Sequence, residues 1–165
     1  MKLRWSLKSG KSRQITSDYL SRILNPVRLR STIEEAADIL SALRRHIPFD
    51  ALAFRGNSGA GIAFPLSAIM CLPLIMVRKG NSHSRYKVEG ALNAASYIIV
   101  DDLIHSGNTI DVIVREIRRH SHSHFHSVPV GIYLYNQSGP RFHHVGSKKI
   151  PVINRRYLRE NKLLR

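Results

Sequence analysis

Apolar positions along this chain fall into two alternating rhythms, short continuous runs and a helical period. Ile33, Ala36, Ala37, Leu40 and Leu43 recur at helical spacing behind Ser31-Thr32-Ile33-Glu34, where Ser31 and Glu34 have the separation of a capping box. The pattern predicts a helix that Pro48 closes. Residues 50–54 (DALAF) are a short apolar run, hence a buried strand, and they lead into a Gly-, Asn- and Ser-rich loop over 55–61. A second helix is expected over 62–71, with Pro65 near its start. Leu74–Val77 and Ile98–Val100 read as further strands, and RKGNSHSRYKVEG between them has the composition of a long exposed loop. Ile110, Ile113, Val114 and Ile117 mark one helix face, and Val128–Tyr135 reads as the last apolar strand. Residues 1–30 are polar and irregular, with at most a short helix around Ser17–Leu24 that ends before Pro26.

Strand–helix alternation with short, continuously apolar strands predicts an α/β fold, a mostly parallel sheet flanked by helices. The length of 165 residues suits one domain, with its core over about 31–135 and a small variable hood drawn from the basic ends. In open α/β sheets ligands bind beyond the carboxyl ends of the strands. The loops at 55–61, 78–90 and 101–109 lie there and hold the unusual chemistry.

Composition narrows the class. With 43% hydrophobic and 22% charged residues the chain is not disordered, and no apolar run is long enough to span a membrane. The first residues, MKLRWSLKSGKSRQ, lack an apolar stretch of the kind a secretory signal needs, so a cytoplasmic protein is expected. Cys71 sits inside an apolar run and reads as a small buried hydrophobe. The net charge of +15 is concentrated at the two ends: residues 1–30 carry +7, residues 141–165 carry +7, and the middle is nearly neutral. Such ends form either a basic surface for nucleic acid or another polyanion, or solvated tails.

The segment SYIIVDDLIHSGNTIDVIVREI, residues 96–117, carries the chemistry. His105-Ser106-Gly107-Asn108-Thr109 lies between a strand and a helix start, where free backbone N–H groups favour an anion. Small and hydroxyl residues let the backbone curl around a phosphate, and Ser106 and Thr109 add donors. Asp101 and Asp102 would repel phosphate directly, so they suit sugar hydroxyls or a divalent metal. An isolated Asp-Asp pair before a helix is more often a cap or a turn; joined to this loop, it fits a phosphorylated sugar.

Residues 97–109, YIIVDDLIHSGNT, resemble the signature of the type I phosphoribosyltransferases: four apolar residues, two acids, two apolar residues and a phosphate loop. Ser106 stands where Thr is usual and Asn108 where Gly is usual, while His105 adds a ring to the loop. Arg55-Gly56 in FRGNSGAG is similar to the family's pyrophosphate loop, in the wording of its adenine-type members. Val77-Arg78-Lys79 resembles the start of their mobile loop, and Tyr86-Lys87-Val88-Glu89-Gly90 loosely resembles its end.

The resemblance, which covers residues 50–135, implies transfer of 5-phosphoribosyl from phosphoribosyl pyrophosphate (PRPP) to a nucleobase nitrogen, with Mg2+ and loss of pyrophosphate. Asp101 and Asp102 would hold the ribose hydroxyls, directly or through metal-bound water. Residues 105–109 would hold the 5-phosphate, and Arg55, Gly56, Arg78 and Lys79 the pyrophosphate. Asp101, Asp102, Lys79 and Glu89 are the catalytic candidates, with Glu89 as a proton shuttle or a solvated loop carboxylate. The adenine-type wording points toward a purine and purine salvage, and a homodimer is the family's habit. The acceptor pocket would come from residues 1–30 or 136–165, outside the resemblance.

Two other readings stand beside the enzyme. One is a regulator of the same fold that senses PRPP and binds RNA or DNA through its basic ends; the other is a scaffold whose phosphate loop has decayed. His120, His122, His124 and His126 alternate in RRHSHSHFHS and are expected on the surface rather than on a metal, and His143 and His144 on the surface rather than in a base pocket. Trp5 either anchors the N-terminal segment or stacks on a base.

Overall fold

The computed structural model describes residues 20–80, 84–121, 127–136 and 139–164. Trp5, His122, His124 and His126 lie outside the described residues. A one-turn helix, α1 (Ser21–Leu24), leads into α2 (Pro26–Arg44). The long helix thus starts a full turn before Ser31. Asn25 is its N-cap, accepting from the N–H groups of Val27 and Arg28, and Pro26 fills the first helical position, where no N–H is needed. Ser31 is interior, and its hydroxyl donates to the Arg28 carbonyl.

Then follow β1 (Ala51–Arg55), α3 (Gly56–Met70), β2 (Leu74–Val77), β3 (Val88–Gly90) and β4 (Ser96–Asp101). The expected 55–61 loop is absent: α3 begins at Gly56 and carries Pro65 in its interior. Cys71 is exposed rather than buried, because it sits in left-handed backbone just past the end of α3. The 78–90 segment is not wholly loop either, since β3 pairs antiparallel with β2.

The second half comprises α4 (Asn108–His120), β5 (Val128–Leu134), β6 (Phe142–Val145), β7 (Lys148–Ile153) and α5 (Arg155–Glu160). The apolar strand at 128–134 is therefore followed by two more. The sheet runs β3-β2-β1-β4-β5-β7-β6. Its five central strands are parallel, and antiparallel β3 and β6 close the edges.

Two apolar layers cover the faces. Leu40, Leu43, Leu66 and Leu158 pack from α2, α3 and α5 against Leu52, Ile98 and Tyr133. Ile110, Ile113 and Ile117 of α4 pack on the other face against Ala53, Ile75, Ile99 and Ile132. Register places Arg55, Val77, Asp101, Leu134 and Ile153 together at the carboxyl edge of the parallel strands. Among the described residues, no helix is long and apolar enough to cross a membrane.

Candidate active site

A cavity of about 490 Å³ opens at this carboxyl edge. Arg55 enters it from the end of β1, Ser58 from the first turn of α3 and Lys79 from just beyond β2. Asp101, Asp102 and the 103–107 turn line its centre, and Thr109 and Ile110 of α4 complete it. Gly56 makes the Arg55 turn: its φ is +75°, and a side chain there would meet Lys79 Cε at 2.5 Å.

Asp101 is the last residue of β4 and is only 3% exposed. It accepts from the Ser58 hydroxyl at 3.2 Å and from the Asp102 N–H at 3.0 Å. Burial first, and the neighbouring Asp102 charge second, push its carboxyl up to about 7. Asp102 accepts from the Leu103 N–H at 2.9 Å, so neither acid caps α4. Across the cavity Arg55 presents the opposite deficit, since its buried Nε has no hydrogen-bond partner among the described residues. Among the described residues, one wall therefore carries two carboxylates that no cation faces at hydrogen-bond distance, and the other carries a buried donor, Arg55 Nε, without an acceptor.

The pair of carboxylates suits a hard cation. Among the described residues no cluster of three or more His, Cys, Asp or Glu side chains could cage a metal. Mg2+ characteristically binds through one or two carboxylates, substrate phosphates and retained waters, which fits this donor set.

Gly107, at φ +79°, turns the chain into α4 and is buried, while His105 and Ser106 are exposed. No side chain caps the helix; Ser106 Oγ accepts from the Asn108 N–H at only 3.4 Å, and the Gly107 carbonyl accepts from Asp111 N–H. The N-terminal donors of α4 thus meet the cavity with the polarity an anion needs.

No protein-family model matches the chain, and no curated protein matches it. Solved structures do. The UMP synthase of Leishmania donovani is similar at 28% identity and TM-score 0.56, over 79% of this chain and 27% of that one. Adenine phosphoribosyltransferase from Saccharomyces cerevisiae is 17% identical with TM-score 0.55, over 90% of this chain and 80% of that one. Orotate phosphoribosyltransferase from Francisella tularensis is 12% identical with TM-score 0.55, over 84% and 64% respectively. The fold is that of the type I phosphoribosyltransferases. The chain spans only 27% of the length of the UMP synthase.

On this phosphoribosyltransferase fold, the cavity gathers Arg55, Lys79, Asp101, Asp102, His105, Ser106, Gly107 and Thr109. Asn108 stands at the exposed start of α4 and does not line it. Arg78 and Glu89 do not line it either. They pair with each other, Arg78 Nε to Glu89 Oε1 at 2.6 Å and Nη2 to Oε2 at 3.1 Å, and Ser84 donates to the same carboxylate at 2.5 Å. The Arg78 guanidinium and then the Ser84 hydroxyl hold Glu89 below the usual carboxylate range.

Sequence reasoning missed three neighbours of the cavity. Ser58 reaches Asp101 from a stretch that reads as loop. Tyr135, just past β5, donates to the Ser58 carbonyl at 3.0 Å, while its own N–H bonds the Asp101 carbonyl. His143, expected on the surface, packs against Gly107, because β6 folds back beside the turn. No local signal marks them, since GNSGAG at 56–61 has loop composition and FHHVGSKKIPVI at 142–153 has no regular apolar period. A second cavity of about 440 Å³ lies on the other side of Tyr135, between Arg22, Glu35, Tyr133, Arg141, Asn154 and Tyr157.

Proposed function

We propose that this chain is a Mg2+-dependent phosphoribosyltransferase, moving 5-phosphoribosyl from PRPP to a nucleobase nitrogen and releasing pyrophosphate. One observation carries the reading. A buried Asp101, its carboxyl pushed up by burial and the Asp102 charge, shares a cavity with Asp102, an anion-ready helix start and an Arg55 Nε without a partner among the described residues.

In this reading the ribose 2- and 3-hydroxyls donate to the Asp101 and Asp102 carboxylates, beside the Ser58, Asp102 and Leu103 donors already there. The turn at 105–109 takes the 5-phosphate through backbone N–H groups and the hydroxyls of Ser106 and Thr109. Arg55 and Lys79 neutralise the pyrophosphate as its bond to the ribose anomeric carbon breaks and the base nitrogen forms the new one. Positive charge develops on the ribosyl ring as the leaving group departs, and the two carboxylates stabilise it. Bound Mg2+ would sit against Asp101 and Asp102 and supply charge neutralisation for phosphate oxygens. Arg78 joins the pyrophosphate side only after its pair with Glu89 opens. A carboxylate held low by an arginine is a poor proton acceptor, so Glu89 acts here as the Arg78 partner rather than as a shuttle.

The acceptor base is placed in the cavity beyond Tyr135. It borders the Asp101 strand through β5, and its walls join Glu35 and Ile39 of α2 and residues 133–135 to Arg22, Asn136 and residues 139–160, the latter within the segments expected to set base identity. Both base classes remain candidates: the adenine-type wording of the loops favours a purine, while the UMP synthase likeness favours a pyrimidine. The test is to incubate the protein with PRPP, Mg2+ and a panel including adenine and orotate, measuring nucleotide and pyrophosphate. Stoichiometric formation of the two with one base supports the reading; none with any base, in protein shown to be folded, overturns it.

A further inference from the structure

The C-terminal hairpin reaches the phosphate turn at one residue. His143, on β6, has a side chain only 16% exposed. Its Nε2–H donates to Asp111 Oδ1 at 2.9 Å, and Asp111 lies in the first turn of α4. A side chain built on Gly107 would run into the His143 imidazole, with the Nε2 atom 2.9 Å away. The ring therefore fills the space a Cβ would need at the turn. His143 does not line the cavity itself. It stands behind the turn, pressed on Gly107 and tied four residues further along the same helix.

The anion site depends on this arrangement for two physical reasons. Gly107 holds left-handed backbone, and no side chain caps α4, so little within the turn fixes the direction of its N–H groups. Asp111 suits the positive end of the helix but lies close to the place a phosphate would occupy. Engaging Asp111 Oδ1 with an imidazole N–H holds that carboxylate to one side and directs part of its charge away from the ligand.

We propose that His143 is a positioning residue for the 5-phosphate site. It fixes the Gly107 turn by contact and α4 by its hydrogen bond to Asp111, so that phosphate affinity depends on a hairpin outside the signature segment. The inference rests on the phosphoribosyltransferase reading of the cavity, and its test separates the two. Ribose 5-phosphate and PRPP are titrated calorimetrically into the wild-type protein, His143→Ala, His143→Gln and Asp111→Asn, with thermal melts alongside.

Wild-type binding of ribose 5-phosphate is the control, and its absence overturns the cavity assignment and this inference with it. Given wild-type binding, His143→Ala is expected to weaken both ligands by between about ten- and a hundredfold, because a displaced phosphate turn is costly. In turnover the loss should appear in KM for PRPP, with kcat nearly unchanged at saturation. His143→Gln, which can still donate to Asp111, should recover part of the affinity. Gly107→Ala combined with His143→Ala should lose less than the two single losses together, since the ring that a Cβ strikes is gone. A His143→Ala protein that melts lower yet binds both ligands as wild type does would overturn the proposal, leaving His143 a packing residue. Should His143→Ala fail to fold, Asp111→Asn and His143→Gln decide: wild-type affinity in both sinks the positioning role.

Discussion

Two conditions disfavour the ionisation of Asp101 in the free protein. It is buried at a strand end, and the Asp102 charge lies beside it, so its carboxyl is raised from 3.8 to about 7. An acid raised by folding keeps its proton in the native state over a pH range where the unfolded chain has lost it. Between about pH 4 and pH 7 the native state thus binds more protons, and the contribution of Asp101 to stability falls as pH rises through that window. We expect Asp101→Asn to melt a few degrees above wild type near pH 8 in the absence of ligand, with the gap shrinking toward pH 5. Differential scanning calorimetry across pH checks this, and a constant gap would show that the carboxyl carries no such burden. Asp101→Asn with Asp102→Asn is expected to abolish PRPP-dependent turnover while the circular dichroism spectrum stays native. Full activity in that double variant would remove the two acids from the mechanism. The expected gain in stability and loss of activity would share one cause, a site shaped for a bound ligand rather than for itself.

At the scale of elements, α3 is the helix that sequence reasoning shortened most. Glycine is a weak helix former, and Gly56, Gly59 and Gly61 within six residues, beside Asn57 and Ser58, carry the marks of a loop. Tertiary contact reverses this. A Cβ on Gly59 would lie 2.7 Å from the Val100 carbonyl oxygen and 2.9 Å from Phe54 Cβ, so the missing side chain is what lets α3 settle onto β1 and β4 and bring Ser58 to Asp101. Gly59→Ala is therefore expected to lower stability by about 1–3 kcal/mol, with a loss of PRPP affinity as Ser58 moves. In Gly61→Ala the obstacle is the Ile23 side chain, at 2.6 Å, which can rotate; its urea midpoint should fall less. Equal midpoints would mean that backbone contact at Gly59 does not set the helix position. The same physics explains what was legible. Apolar runs at 51–54, 74–77 and 98–100 and the Ile110–Ile117 stripe are buried by their own pattern, and each is found as an element. Close approaches such as Gly59 against a carbonyl, or His143 behind Gly107, depend on distant partners and leave no local period to detect.

For the whole molecule the question is whether the basic C-terminal segment is a tail or part of the body. Its charge, +7 over 141–165, invites a nucleic-acid reading, yet the segment supplies β7 to the sheet and α5 to one face. Arg141 and Arg156 pair with Glu160, and Arg155 with Glu35, so part of the cationic surface is already engaged within the fold. Ile150, Val152, Ile153 and Leu158 are each no more than 2% exposed and are divided between the two apolar layers. Burying one such side chain contributes about 1.5–3 kcal/mol, so together they account for roughly 6–12 kcal/mol before any loss of strand pairing. That matches the typical stability of an entire domain, about 5–15 kcal/mol. Deleting residues 141–165 should consequently abolish the cooperative melt and leave a chain that binds hydrophobic dye. A detachable hood or a solvated arm would behave differently: the truncated protein would still melt cooperatively and would have lost only base or nucleic-acid binding. That second outcome would return the segment to the role of a tail. The first would mean that the cationic surface, and the hairpin proposed to steady the phosphate turn, cannot be lost separately from the fold itself.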